Sequence, residues 1–151
     1  MHYSMSKQFI AEGIPIFIDK PMALSLPEAE KILKIKKYPG QIFSCSALKY
    51  AKELQLSSMQ SEKIGLIKVI QAYTPKDWKR YSPHIIEPVL NLIPGRGKVL
   101  HHKALQKKDE SSLRVKFQNG TEVHFNAMGN LDIPIYFDIF GSEENSKLVF
   151  S

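Results

Sequence analysis

Apolar positions in the first third of the chain fall in short runs that alternate with amphipathic stretches. Residues 4–12 fit a short helix that ends at Gly13, and the compact apolar run of residues 14–18 follows it directly. A capping sequence that begins at Ser25, with a proline in the first turn, opens a second helix extending to about Lys37. A second apolar run comes next. The pattern predicts helix, strand, helix, strand, with residues 14–18 as a buried strand of parallel type.

The middle of the chain mixes helical and strand patterns. Residues 47–62 have a helical pattern, residues 64–73 a strand pattern, and residues 84–92 a helical pattern interrupted by Pro88. The polar and aromatic residues 74–82 are predicted to form a loop.

The last third alternates apolar and polar residues on either side of the turn sequence Asn119-Gly120. The strands predicted here are residues 98–105, 113–117, 123–127, 133–140 and 147–150. One face of this sheet is apolar and suited to be covered by helices. The other face holds Arg114, Lys116 and His124 and is expected to be wet or an interface. The fold class is therefore α/β or α+β, with an open, largely antiparallel sheet and helices on one face.

Composition limits the classes of protein that the chain can belong to. Its 151 residues, 43% of them hydrophobic, suit one domain with an attached remnant at most. No apolar run reaches the roughly 18 residues of a membrane span, and the N-terminus lacks the apolar core of a signal peptide. The single cysteine, Cys45, excludes an internal disulfide framework and is expected to be a buried small residue. These features favour a cytoplasmic protein.

The formal net charge of +6 raises the possibility of nucleic-acid binding. The lysines are spread along the chain, and no stacking motif or zinc-finger spacing accompanies them. Solvated helix and strand faces explain the charge better, so no nucleic-acid partner and no membrane partner are expected. His101, His102 and His124 lack nearby acids or cysteines at ligand spacing, so no metal site is expected.

Two charged residues and a proline, Asp19-Lys20-Pro21, directly follow the first predicted strand. Ligands bind at the carboxyl ends of strands in α/β sheets, so this sequence marks a candidate site. From spacing alone, Lys20 also fits a solvated loop lysine beside an acid. His84 likewise fits either a general acid/base, with an ordinary pKa near neutrality, or a histidine on a helix surface.

Several short motifs stand in one order along almost the whole chain. They are residues 13–23 with the Asp19-Lys20-Pro21 sequence, Leu48-Lys49-Tyr50, residues 64–69, the pair His84 and Glu87, residues 117–121 and residues 139–142. In this order they resemble the Gfo/Idh/MocA family of NAD(P)-dependent oxidoreductases. The resemblance departs at Asp19, where the family usually has Glu, and at Arg80, where it usually has Asp.

The resemblance implies that the chain is a fragment of a larger enzyme. Residues 1–22 would be the last helix and strand of a Rossmann domain, and residues 23–151 a C-terminal domain for substrate binding and oligomerisation. The sequence has no Gly-x-Gly-x-x-Gly, the fingerprint that holds a dinucleotide pyrophosphate. The rest of the Rossmann domain is therefore expected before residue 1. The chain alone is expected to be inactive.

The resemblance also implies roles for individual residues. Lys20 and His84 would be catalytic: the ammonium stabilises negative charge developing on the substrate oxygen, and the imidazole moves its proton. Asp19, Lys20 and Pro21 would contact the cofactor, NAD or NADP, in the complete protein. The substrate-binding residues would be Tyr50, Arg80, Tyr81 and Glu87, with Trp78 a further aromatic near the pocket.

The substrate and the partners are left more open. A small hydroxyl or carbonyl compound is expected, sugar-like or anionic, the anionic option resting on the ability of Arg80 to clamp a carboxylate or phosphate. The resemblance implies a homo-oligomer formed through the open sheet face. The alternative from a different functional class is a non-catalytic module for substrate binding or oligomerisation.

Overall fold

A computed structural model of the chain describes residues 2–107 and 110–150 and divides into two compact units. The N-terminal unit is Met1–Ser46, the C-terminal unit is Ala47–Ser151, and each has its own hydrophobic core. None of the helices within the described ranges has the length and hydropathy that crossing a bilayer requires.

Helix α1 (His2–Ala11) opens the N-terminal unit, and Gly13 terminates it just beyond its last residue, as predicted. The φ of Gly13 is 80°, in the left-handed region that favours glycine. The Gly13 N–H donates to the Ile10 carbonyl at 3.0 Å, and the Ile14 N–H donates to the Phe9 carbonyl at 3.0 Å. These two bonds form a Schellman motif, which satisfies carbonyls that the helix itself leaves unpaired.

Helix α2 (Leu26–Lys34) confirms the predicted cap, because the Ser25 hydroxyl accepts a hydrogen bond from the Glu28 N–H. The helix ends at Lys34, earlier than the prediction of about Lys37. The Lys37 N–H donates instead to the Gln41 side-chain oxygen at 2.7 Å, which holds the chain in a turn.

Strands β1 (Ile16–Phe17) and β2 (Ile42–Phe43) pair in parallel, as predicted, but each is only two residues long. The prediction that residues 14–18 form a buried strand is wrong for the side chains on one face of that strand. Ile18 is 6% exposed and packs with Ile10 and Ile32, whereas Phe17 is 59% exposed. Helices of the unit cover one side of this small sheet, and alternation along a strand turns Phe17 to the other side.

Six strands of the C-terminal unit form one sheet, in the order β4-β5-β6-β3-β7-β8. The strands are β3 (Ile67–Thr74), β4 (Val99–Gln106), β5 (Ser111–Phe117), β6 (Glu122–Ala127), β7 (Ile135–Gly141) and β8 (Asn145–Phe150). All neighbours pair antiparallel except β3 and β6, which are parallel. The predicted open, largely antiparallel sheet is thus confirmed. Asn119-Gly120 lies in the predicted turn, with Gly120 at a φ of 90°.

The helical predictions for the middle of the chain need two corrections. Residues 47–62 form two short 3₁₀ helices (Ala47–Tyr50 and Lys52–Leu54) and then α3 (Ser58–Ile64), because Ser57 caps a new helix start. The expected loop contains α4 (Trp78–Tyr81), which begins where the Asp77 side chain accepts from the Arg80 N–H.

Helix α5 (Pro83–Leu92) confirms the helix predicted for residues 84–92, and it holds Pro88 in a buried position. Its apolar side contributes Ile85 and Val89 to the core, both fully buried. The core continues across the covered face of the sheet through Ile70, Ala72, Val115, Phe117, Val123, Phe125, Phe137 and Ile139. The opposite face of the sheet carries polar and aromatic side chains, including the expected Arg114, Lys116 and His124.

Candidate active site

The candidate residues Asp19, Lys20 and Pro21 lie in the N-terminal unit, directly after the small parallel sheet. The Ile18 N–H donates to the Phe43 carbonyl at 2.9 Å, which extends the parallel pairing up to Asp19. The Lys20–Pro21 peptide bond is cis. Lys20 is half-buried, while Asp19 and Pro21 are exposed. The three residues therefore occupy the carboxyl end of β1, where ligands of α/β sheets bind.

Tyr81, the last residue of α4, contacts His84 in the first turn of α5 in the C-terminal unit. Their ring centroids are 5.4 Å apart, and the rings meet edge to face at 68°. Both side chains are half-buried. Tyr81 in turn accepts a hydrogen bond from Lys76, whose Nζ lies 2.8 Å from the phenol oxygen and 4.9 Å from the ring centroid. An ammonium, a phenol and an imidazole are thus contiguous, and all three can bind or move protons on a substrate oxygen.

Arg80 is held by Asp77 on the short helix α4. The Arg80 Nε lies 2.8 Å from one Asp77 oxygen, and the Arg80 backbone N–H donates to the other at 3.1 Å. The hydrogen bond from the guanidinium holds the pKa of the Asp77 carboxyl below its ordinary value. The side chain of Arg80 stays 77% exposed, so its charge remains accessible from solvent.

The other two predicted substrate residues are placed differently. Glu87 is half-buried on α5, one helical turn after His84. Tyr50 ends a 3₁₀ helix and lines a cleft with Pro88 and Asn91 of α5, away from the cleft that Arg80 lines. The structure therefore brings Tyr81 and His84 into contact, pairs Arg80 with Asp77, and places Tyr50 in a different cleft from Arg80.

Lys76 is the residue that the sequence analysis missed. Its φ is 63°, in the left-handed region, and the backbone bonds between Lys76 and Gly129 hold it there at 2.6 and 3.1 Å. No local sequence motif predicts this backbone conformation of Lys76, because its partner Gly129 lies far along the chain. The neighbouring turn sequence Pro75-Lys76-Asp77 is the only hint.

A second group of charged side chains lies on the open sheet face. Glu122 accepts from the His124 Nε2 and from the Arg114 Nε, each at 2.6 Å. The hydrogen bond from His124, followed by that from Arg114, lowers the pKa of the Glu122 carboxyl. No group of three or more His, Cys, Asp or Glu suited to a metal ion occurs within residues 2–107 and 110–150.

Comparison with solved structures identifies the fold. A levoglucosan dehydrogenase in complex with NADH and levoglucosan matches 98% of this chain with 51% of its own, at a TM-score of 0.76 and 17% identity. The fold is that of the dehydrogenase C-terminal domain. GenD2 from gentamicin A biosynthesis, in complex with NAD, matches 98% of this chain with 51% of its own, at a TM-score of 0.74 and 15% identity.

A myo-inositol 2-dehydrogenase from Lactobacillus plantarum matches 97% of this chain with 54% of its own, at a TM-score of 0.69 and 16% identity. This chain thus spans about half the length of the solved structures that it matches. No family model matches the sequence, and neither does any curated protein. The resemblance to the Gfo/Idh/MocA dehydrogenases is confirmed at the level of the fold.

Proposed function

We propose that this chain is the substrate-side part of an NAD(P)-dependent oxidoreductase of the Gfo/Idh/MocA family. One observation carries the proposal: nearly the whole chain shares its fold with dehydrogenases solved with NADH or NAD. The reaction is hydride transfer between nicotinamide and a hydroxyl or carbonyl group of a small substrate, either sugar-like or anionic. NAD or NADP would accept or donate the hydride at its nicotinamide ring.

Two side chains of this chain would handle the proton and the charge on the substrate oxygen. When a carbinol carbon loses hydride, its oxygen must lose a proton. We assign Lys20 to stabilise the negative charge that develops on this oxygen, and His84 to accept its proton. Asp19 and Pro21 would shape the cofactor edge, and Tyr50, Arg80, Tyr81 and Glu87 would position the substrate.

The dinucleotide itself needs a binding segment beyond this sequence. No Gly-x-Gly-x-x-Gly, the fingerprint of a pyrophosphate-binding turn, occurs in the 151 residues. We therefore propose that residues 1–22 complete a Rossmann domain that another segment supplies, and that residues 23–151 form the substrate domain. The chain alone would then turn over no substrate.

The test compares variants of the protein in which this chain is joined to its dinucleotide-binding half. Reduction of NAD and NADP is followed by nicotinamide absorbance with panels of sugars, polyols, sugar acids and sugar phosphates. Lys20→Ala should lower kcat by about 10²- to 10⁴-fold, the range for a positioned proton-transfer group. Lys36→Ala, an exposed lysine of the same unit, is the matched control and should leave kcat unchanged. Full activity in Lys20→Ala would overturn the assignment.

The open sheet face supports a second candidate, a role in oligomerisation. The rings of Tyr73 and Tyr136 stack there at 4.6 Å, and Phe140 and Val149 are more than a third exposed. Partial burial, with a smaller contribution from the Asp138 carboxylate, raises the pKa of both phenols, so they stay neutral at physiological pH. We propose that this face joins two copies of the chain. Light scattering that finds only a monomer at high concentration contradicts this role.

A further inference from the structure

A basic cleft lies beside the residues proposed to bind substrate in the C-terminal unit. Its volume is about 440 Å³, and the side chains that matter for its chemistry are Lys76, Asp77, Lys79, Arg80 and Lys107. The turn before α4 supplies the first of these, α4 supplies Lys79 and Arg80, and Lys107 follows β4. Positively charged side chains from different parts of the chain thus line the same cleft.

The charges around the cleft are unbalanced. Among the described residues that line the cleft, four cations face one carboxylate, Asp77, which already accepts hydrogen bonds from the side chain and the backbone of Arg80. Within residues 2–107 and 110–150, no carboxylate pairs with Lys79. The remaining polar side chains, from Gln106, Ser111 and Asn130, are neutral. Such a space attracts anions, because partly enclosed walls strengthen the field of the cations.

The backbone holds one of these cations in place. The backbone of Lys76 has a φ of 63°, which residues other than glycine rarely adopt. Two backbone hydrogen bonds to Gly129 hold it in this conformation. Residues in sparsely populated backbone regions cluster at ligand sites, where the surrounding structure enforces them. The Lys76 ammonium also contacts Tyr81, which meets His84 edge to face. The cleft therefore adjoins the proposed proton-transfer residue.

We propose that this cleft binds an acidic group of the substrate, a carboxylate or a phosphate, through Lys76, Lys79 and Arg80. That the anion belongs to the substrate rests on the proposed oxidoreductase function, whereas binding of the anion does not. Cationic side chains in a confined space make charge-assisted hydrogen bonds to such groups. A cleft of about 440 Å³ suits a small molecule rather than a nucleic-acid strand, which needs an extended groove and stacking side chains.

The experiment uses the 151-residue chain and two probes, inorganic phosphate and malonate, titrated at constant ionic strength by isothermal calorimetry. Saturable binding of at least one probe is expected, and the better probe identifies the acidic group. Lys76→Met and Lys79→Met should each weaken binding by about tenfold or more, as expected for losing a hydrogen bond between charged groups. Lys76→Arg should retain most of the affinity.

Lys116→Met is the matched control, because Lys116 is an exposed lysine on the open sheet face. This variant should bind the probes as the unchanged chain does. The denaturation midpoint from Trp78 fluorescence verifies that each variant is folded, and Lys79→Met serves if Lys76→Met is not. The proposal is overturned if neither probe saturates, or if Lys116→Met loses as much affinity as the cleft variants. It is also overturned if a single-stranded oligonucleotide binds more tightly than either probe and depends equally on Lys116.

Failure here and failure of the proposed function are separate outcomes. Anion binding by this chain needs no nicotinamide, and Lys20→Ala should not change it. Conversely, if the complete protein oxidises only neutral sugars and depends on Lys20, the oxidoreductase assignment stands while the anionic substrate class is wrong.

Discussion

The two units of the chain differ in how far they cover their own apolar side chains. The C-terminal unit buries a continuous core between α5 and one face of a six-stranded sheet. The hydrophobic cluster of the N-terminal unit consists of the buried side chains of Ile10, Ile18 and Ile32, and Phe9 and Phe17 of the same unit are more than half exposed. The C-terminal unit therefore has the core of a complete domain, whereas the N-terminal unit is a small layer with one uncovered side.

The two proposed catalytic residues lie in units with cores of very different size. The proposed lysine, Lys20, is carried by the unit with little core, and His84 by the unit with a large one. A two-stranded sheet is marginal without further cover. Under the proposed function, the dinucleotide-binding half would cover the exposed side of β1, so the geometry at Lys20 would depend on it. The geometry at His84 would depend on the core of the C-terminal unit itself.

The largest expected effect is on the C-terminal core. Phe137→Ala removes a fully buried ring from the centre of β7 and should lower the free energy of unfolding by about 3–5 kcal/mol. Denaturant titration followed by Trp78, the single tryptophan, reports this unit directly. Phe140→Ala on the open face of the same strand, 38% exposed, is the control and should cost much less. Equal losses would mean that the two faces of the sheet are equally covered in solution.

A smaller loss of stability is expected in the N-terminal unit, where a buried polar side chain takes a position in the small core. Gln41 is fully buried, and its amide donates to the carbonyls of Ile10 and Ile14 at 2.8 and 3.2 Å. Gln41→Leu removes these hydrogen bonds and leaves the Ile14 carbonyl and the Lys37 N–H without their side-chain partner, at a cost of about 1–3 kcal/mol. Hydrogen exchange by mass spectrometry should show faster exchange in α1.

The same variant tests the independence of the two units. The Trp78 transition should not move in Gln41→Leu, and Gln8→Leu, on the exposed side of α1, should change neither measurement. An equal shift of the Trp78 transition would show that the units unfold together, and the contrast between them would then have no energetic meaning.

The smallest expected effect is a pH dependence from the open sheet face. His124 and Arg114 lower the pKa of Glu122 in the folded chain, so its ionised form stabilises the fold above the ordinary glutamate pKa. This contribution should disappear as the pH falls through the lowered folded value. Denaturation midpoints between pH 6 and about pH 3 should therefore fall less steeply in Glu122→Gln than in the unchanged chain. Parallel curves for the two proteins would contradict the coupling.

Local signals in the sequence predicted much of the fold. Gly13 ends α1, Ser25 caps α2, and Asn119-Gly120 turns the chain, as predicted, because each depends on residues a few positions away. The alternation that predicted the apolar face of β5 and β6 is also local. The predictions failed at residues 47–62 and 74–82, where new caps at Ser57 and Asp77 divide what had looked like one helix and one loop.

The sequence by itself determined most of the helices and strands, the covered sheet face and the motif around Lys20, since period and turn chemistry act over short distances. Only the tertiary structure decided the parallel pairing of β3 with β6 and the neighbours of each candidate side chain. The backbone pairing of Lys76 with Gly129 joins positions far apart in the chain, and it places Lys76 against Tyr81. Contacts of that kind follow from how strands pair and pack, which no local pattern encodes.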